Sequence, residues 1–116
     1  MKKIITLSLI IVMITFTVGL SQLIKTSLTL TILDEIGNSA PEATVKLFEK
    51  EEDYLKETNP AAEGITDAKG VVKFKNLKSI PYFVLARKGD KNNAGGGEQI
   101  GKLEEGKFNK AKIVIQ

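Results

Sequence analysis

The stretch Gly64-Ile-Thr-Asp-Ala-Lys-Gly-Val-Val-Lys-Phe-Lys-Asn-Leu77 decides the fold class. Asp67-Ala68-Lys69-Gly70 has the chemistry of a tight turn. An aspartate at the first position can accept hydrogen bonds from the backbone ahead of it. A glycine at the fourth takes the left-handed conformation that closes a type I turn. Beyond the turn, Val72 and Phe74 alternate with Lys73 and Lys75, the period of a strand with one wet face. The stretch therefore predicts a β-hairpin over residues 64–77.

Upstream, Leu28-Thr-Leu-Thr-Ile-Leu33 alternates apolar residues with threonine, which predicts a strand with Leu28, Leu30 and Ile32 inward. It runs into Asp34-Glu35-Ile36-Gly37, a second Asp-x-x-Gly turn, and then a connection through Pro41. Ala43-Thr-Val-Lys-Leu47 gives the next strand, with Ala43, Val45 and Leu47 inward. Glu49 to Thr58 is rich in helix formers and ends at Asn59-Pro60, so one or two helical turns or an ordered loop are expected, with Leu47, Tyr54 and Leu55 spaced for one face.

Downstream, Tyr82-Phe-Val-Leu-Ala-Arg87 is apolar on both faces, as in a strand buried on both sides or packed against the 50s segment. Gly89 to Gly97 is the longest polar, glycine-rich stretch and reads as a mobile loop. Gln99 to Leu103 is a weak strand or an extended approach, and Lys110-Ala-Lys-Ile-Val-Ile115 closes the chain as a final strand. Six or seven short strands without a long helix favour a β-sandwich, all-β in class.

The order of these elements resembles a known family. Leu30-Thr-Ile-Leu-Asp34, Gly37-Asn38, Pro41-Glu-Ala-Thr-Val45, Thr66-Asp67-Ala-Lys-Gly70, Phe74-x-x-Leu77 and Tyr82-x-Val84-x-Ala86 together resemble the carboxypeptidase regulatory-like domains of the transthyretin (prealbumin-like) fold. The match runs from about Leu28 to Gly89. It implies a seven-stranded Greek-key sandwich and a small exported bacterial module, periplasmic or on the cell surface.

The N-terminus agrees with export. Met1-Lys2-Lys3 is followed by an uncharged apolar run to Ile24, and Gly19-Leu20-Ser21 supplies small residues for cleavage before Gln22. The chain then divides into a signal peptide, 1–21, and a sandwich domain, 22–116. The same run is long enough for an uncleaved membrane anchor, which stays open as the alternative. No cysteine follows it, so a lipoprotein anchor is excluded and no disulfide framework exists. Lys2 and Lys3 hold two of the 17 basic residues, leaving 15 against 14 acidic ones and a net charge of +1. No basic stripe interleaved with aromatics remains in the sequence, so nucleic acid is not an expected partner.

Catalysis has little to stand on. The chain has no histidine and no cysteine, the usual general base and activated nucleophile. Two related sandwich enzymes are excluded on their motifs. Hydroxyisourate hydrolases need histidines and a C-terminal Tyr-Arg-Gly-Ser, where this chain ends Lys112-Ile-Val-Ile-Gln116. Intradiol dioxygenases hold iron with two histidines and two tyrosines. Asp34 and Asp67 are explained by their turns, so neither a metal nor any other cofactor is expected. The acidic run Glu51-Glu52-Asp53 reads as a solvated face. An internal Lys–Asn isopeptide, as in collagen-adhesin B-type repeats, has only Lys25 and Asn109 as candidates, both outside the strand cores.

Recognition is the remaining class. Asp90, Asn92 and Asn93 stand on a flexible support, and their side chains suit sugar hydroxyls or peptide backbones. They are the candidate contacts to an unidentified protein or glycan of the cell envelope. The alternative is a purely structural accessory domain without a ligand of its own.

Overall fold

The computed structural model describes residues 25–116, so the expected leader and its cleavage site lie outside the described residues. Within them the chain forms β1 (Ser27–Asp34), β2 (Thr44–Phe48), α1 (Glu51–Lys56), β3 (Ala62–Ile65), β4 (Val71–Phe74), β5 (Tyr82–Lys88), β6 (Lys91–Asn92), β7 (Gln99–Ile100) and β8 (Phe108–Ile115). These make two sheets. One has the order β4-β1-β8; the other has the order β3-β2-β5-β6, with β7 also paired to β5. Eight β segments stand where the resemblance implies seven; two of them, β6 and β7, are only two residues long, and six are longer.

Alternation in sequence becomes burial between the sheets. Leu28, Leu30 and Ile32 from β1 and Ala43, Val45 and Leu47 from the β2 stretch have no exposed surface. Val72, Phe74, Tyr82, Val84, Ala86, Ile113 and Ile115 from the other strands belong to the same core, with Ala40 and Leu103 from the connections. A second, smaller cluster lies on the outer face of the β2/β5 sheet, where Phe48, Tyr54 and Leu85 are buried with Phe83 packed against them. The Tyr54 ring meets Phe48 edge-on at 6.0 Å and stacks on Phe83 at 5.8 Å. Both apolar faces of β5 are thus used, one on the main core and one under α1.

The helix Glu51–Lys56 ends on Glu57, a non-glycine residue in the left-handed region at φ 55°. Arg87 of β5 grips the Glu57 carboxylate with both guanidinium nitrogens, at 2.9 and 3.2 Å, which offsets that strained conformation. Leu55, expected on the packed face with Tyr54, is instead 57% exposed. So short a helix presents one residue, Tyr54, to the sheet.

The two Asp-x-x-Gly turns share one geometry. Asp34 Oδ1 accepts from the Ile36 and Asn38 amides at 3.1 and 2.9 Å. Asp67 Oδ1 accepts from Lys69 and Val71 at 2.8 and 3.1 Å. Gly37 and Gly70 take φ values of 91° and 75°.

The strands flanking the second turn do not form the expected hairpin. β3 pairs with β2, whereas β4 pairs with β1 in the other sheet. The turn is a corner joining the edges of two sheets. Thr66 holds that corner: its hydroxyl donates to Ala40 O at 2.6 Å and accepts from Ala43 N at 2.8 Å. Gly64 lets the layers close, because a Cβ there would lie 2.7 Å from Val72 Cγ2. On the opposite side, Asn92 and Gln116 exchange backbone hydrogen bonds at 3.0 and 3.2 Å and tie β6 to the end of β8.

Candidate functional site

The glycine-rich segment after β5 is more ordered than its composition suggests. β5 turns through Gly89 and Asp90 into β6, with Lys88 opposite Lys91 and Arg87 opposite Asn92. Gly89 has φ 57°, which this two-residue connection requires. Asn93 keeps one long backbone bond to β5, its N donating to Ala86 O at 3.3 Å, and its side chain adds the rest of the pairing. Its Oδ1 accepts from Ala86 N at 2.8 Å, and its Nδ2 donates to Val84 O at 2.9 Å. An amide side chain carries a donor and an acceptor side by side, so it can satisfy a strand edge as another strand would. The Asn93 carbonyl accepts the Tyr54 hydroxyl at 2.8 Å, which fastens α1 to the same loop. The expected mobile loop is therefore anchored at Asn93.

The three candidate contact residues do not converge. Asp90 is exposed and lines a recess of about 450 Å³ with Asp34, Ser39, Lys88 and Lys91. The Lys91 ammonium lies 4.0 Å from both Asp34 and Glu35, so this recess has mixed charge. Asn92 and Asn93 line a second recess, about 540 Å³, with Glu98, Val114 and Gln116. Asn92 Oδ1 accepts from Ala94 N at 3.0 Å, closing a local turn. Of the three, Asp90 has the side chain most available to a partner.

Asn109 is likewise engaged. Its amide nitrogen donates to the carbonyls of Ser27, Glu104 and Lys107 at 3.0 to 3.2 Å, and its oxygen accepts from Glu104 N. The side chain staples the 104–107 turn to the start of β1. Nothing in the sequence distinguishes Asn93 and Asn109 from solvent-facing asparagines; the side chain of Asn93 reaches back seven and nine residues to β5, and that of Asn109 reaches both its own turn and Ser27, 82 residues away.

The perturbed ionisable pair is structural. The hydrogen bond from Arg87 holds the Glu57 carboxyl below the usual glutamate range, and Glu57 in turn raises Arg87. Among the described residues, no group of three or more His, Cys, Asp or Glu side chains is placed to hold a metal ion. No helix among them is long and apolar enough to cross a membrane.

No protein-family model matches the chain, and no curated protein matches it. Solved structures do resemble it. The Bacillus anthracis TIE protein superposes with a TM-score of 0.57 and 21% identity over 79% of this chain and 17% of its own. The group B streptococcus pilus 2b backbone protein gives 0.58 and 14%, over 78% of this chain and 40% of its own. The major pilin subunit of Bacillus cereus gives 0.54 and 19%, over 79% and 30%. The chain spans less than half the length of each. These likenesses establish the fold, a two-sheet β-sandwich that domains of these proteins share.

Proposed function

We propose that this chain is a non-catalytic, exported β-sandwich module of the bacterial envelope, related in build to the carboxypeptidase regulatory-like domains. The observation that carries the proposal is the shared sandwich: more than three quarters of the chain superposes on domains of pilus proteins. The leader-like N-terminus and the lack of histidine and cysteine support it. In this reading the module works by contact, to a protein or glycan of the envelope, with Asp90 and Asn92 at the rim of the sandwich as loop contacts. Asn93 acts by holding the loop to β5. The structural-accessory reading is favoured by one observation, the use of Asn93 and Asn109 as internal staples.

Intact-mass analysis of the protein in fractionated cells tests the proposal. The expected result is a mass lacking residues 1–21 in the extracytoplasmic fraction. A mass including Met1 in the membrane pellet would replace the released module with an anchored one, and recovery from the cytoplasm would overturn export.

A further inference from the structure

The outer face of the β4-β1-β8 sheet collects lysines that are far apart in sequence. With Leu28, Leu30 and Ile32 inward, Thr29 and Thr31 point outward. Thr29 sits opposite Lys73 on β4 and Lys110 on β8; Thr31 sits opposite Lys112. Lys75 follows one residue beyond β4. All four lysines are exposed, and no outward position of these three strands carries an acid. Several cations elsewhere are paired with acids, Lys56 with Glu52, Lys78 with Glu49, Arg87 with Glu57 and Lys107 with Glu104, while Lys46, Lys50, Lys69 and Lys102 stand apart from one another on other surfaces. Among the described residues the only recorded companion of the four is the Phe108 ring, 5.0 Å from Lys73 Nζ. Phe108 lies in the same layer, opposite Ser27, and is 69% exposed.

Lysines on edge strands such as β4 and β8 discourage sheet-to-sheet pairing, a role for which lysine is the usual choice but which does not require every charge on the face to be positive. Four cations and no anion, in a chain whose net charge is +1 without Lys2 and Lys3, make a one-signed face. Its spacing is also regular. Lys110 and Lys112 are two residues apart on one strand, ~7 Å, and Lys73 and Lys110 flank β1 at two strand spacings, ~10 Å.

We propose that this face binds a linear polyanion whose units are joined by phosphodiesters, specifically a glycerol-phosphate polymer of the envelope. Six bonds separate successive phosphorus atoms in such a chain, as six separate alternate Cα atoms in a strand. Its charges therefore repeat at on the order of 7 Å, in step with lysines on one strand face. The ammonium groups act as point charges, Thr29 and Thr31 supply hydroxyls between the rows, and Phe108 covers the apolar edge of the polyol. The inference rests on the exported reading, since such a polymer lies outside the cytoplasm, but its test does not depend on location.

The test uses the full-length chain in non-ionic detergent, titrated with purified poly(glycerol phosphate) at several salt concentrations. Binding is expected with a log–log salt slope of about −3, for four contacts on a flexible chain. Replacing Lys73, Lys75, Lys110 and Lys112 by glutamine should weaken it at least tenfold, roughly, and flatten the slope, with the melting midpoint unchanged. Lys50→Gln, beside α1 on the far face, should change nothing. Absent binding, or binding that survives the fourfold substitution, overturns the proposal. Tighter binding of polygalacturonate would make the face a carboxylate reader. Tighter binding of oligothymidylate at equal phosphate would make it a nucleic-acid surface. Either outcome refutes the assignment made here, and none bears on where the protein resides.

Discussion

Gly70 is a position where the sandwich is sensitive to one methyl group. Two separate costs meet there, and Gly37 allows them to be told apart. Both glycines close Asp-x-x-Gly turns at positive φ, 75° and 91°. A side chain in the left-handed region costs about 1–2 kcal/mol, so alanine at either site incurs that much. Around Gly37 a Cβ would meet nothing within 4 Å. At Gly70 it would lie 2.9 Å from Ile32 O, 3.0 Å from Ala40 N and 3.2 Å from Ser39 Cβ. Those atoms are held: Ile32 N donates to Gly70 O at 2.8 Å, and Ala40 N donates to Ile32 O at 2.9 Å. Relief requires moving β1 or the connection to β2, at the ~1–3 kcal/mol typical of overpacking. Gly70→Ala should therefore cost about 2–5 kcal/mol, out of a total stability of ~5–15, and lower the melting midpoint by roughly 10 °C or more. Gly37→Ala should cost only about 1–2 kcal/mol. Urea unfolding of both variants reads the difference. Equal costs within about 0.5 kcal/mol would refute the close approach of the Gly70 corner to β1.

Other perturbations probe the remaining joints. Asn93→Ala removes the amide that pairs with Ala86 N and Val84 O, and a loss of about 2–3 kcal/mol is expected in urea unfolding; unchanged stability would mean that water replaces the side chain freely. Thr66→Val keeps the shape but leaves Ala43 N and Ala40 O without the hydroxyl, which should cost about 2–3 kcal/mol. A neutral result there would remove Thr66 as the holder of the inter-sheet corner. Glu57 has a folded-state pKa below its unfolded one, so its contribution is present above the ordinary glutamate range and lost as pH falls through the lowered value. Both members of its pair are more than a third exposed, so the effect is under about 1 kcal/mol. Comparing the acid limb of wild-type stability with that of Glu57→Gln should show a slightly steeper loss in the wild type, and identical limbs would discard the pair as a stabiliser.

Much of this protein is legible in local sequence. Period-two alternation identified the inward residues of β1, β2 and β4, because a strand's two faces are set by its own side chains wherever one of them is buried. The Asp-x-x-Gly pattern located both turns, because an aspartate caps amides two and four residues ahead and glycine is free to take positive φ, all within one short span. The two apolar faces of Tyr82 to Arg87 announced a strand covered on both sides.

The choice of partner was not local. The turn at Asp67 to Gly70 is compatible with a hairpin, yet β3 and β4 join different sheets. Which ladder a strand enters depends on β1 and β2, on the Thr66 hydroxyl reaching back to residues 40 and 43, and on a glycine that removes a clash with Val72. Asn93 and Asn109 read as free polar side chains because an asparagine's donor and acceptor are occupied only once the fold brings backbone from another element to them, β5 for Asn93 and the start of β1 for Asn109. Lys73, Lys75, Lys110 and Lys112 form no stripe in sequence. They share a face because β1 lies between β4 and β8, antiparallel to one and parallel to the other, and that register exists only in the folded chain.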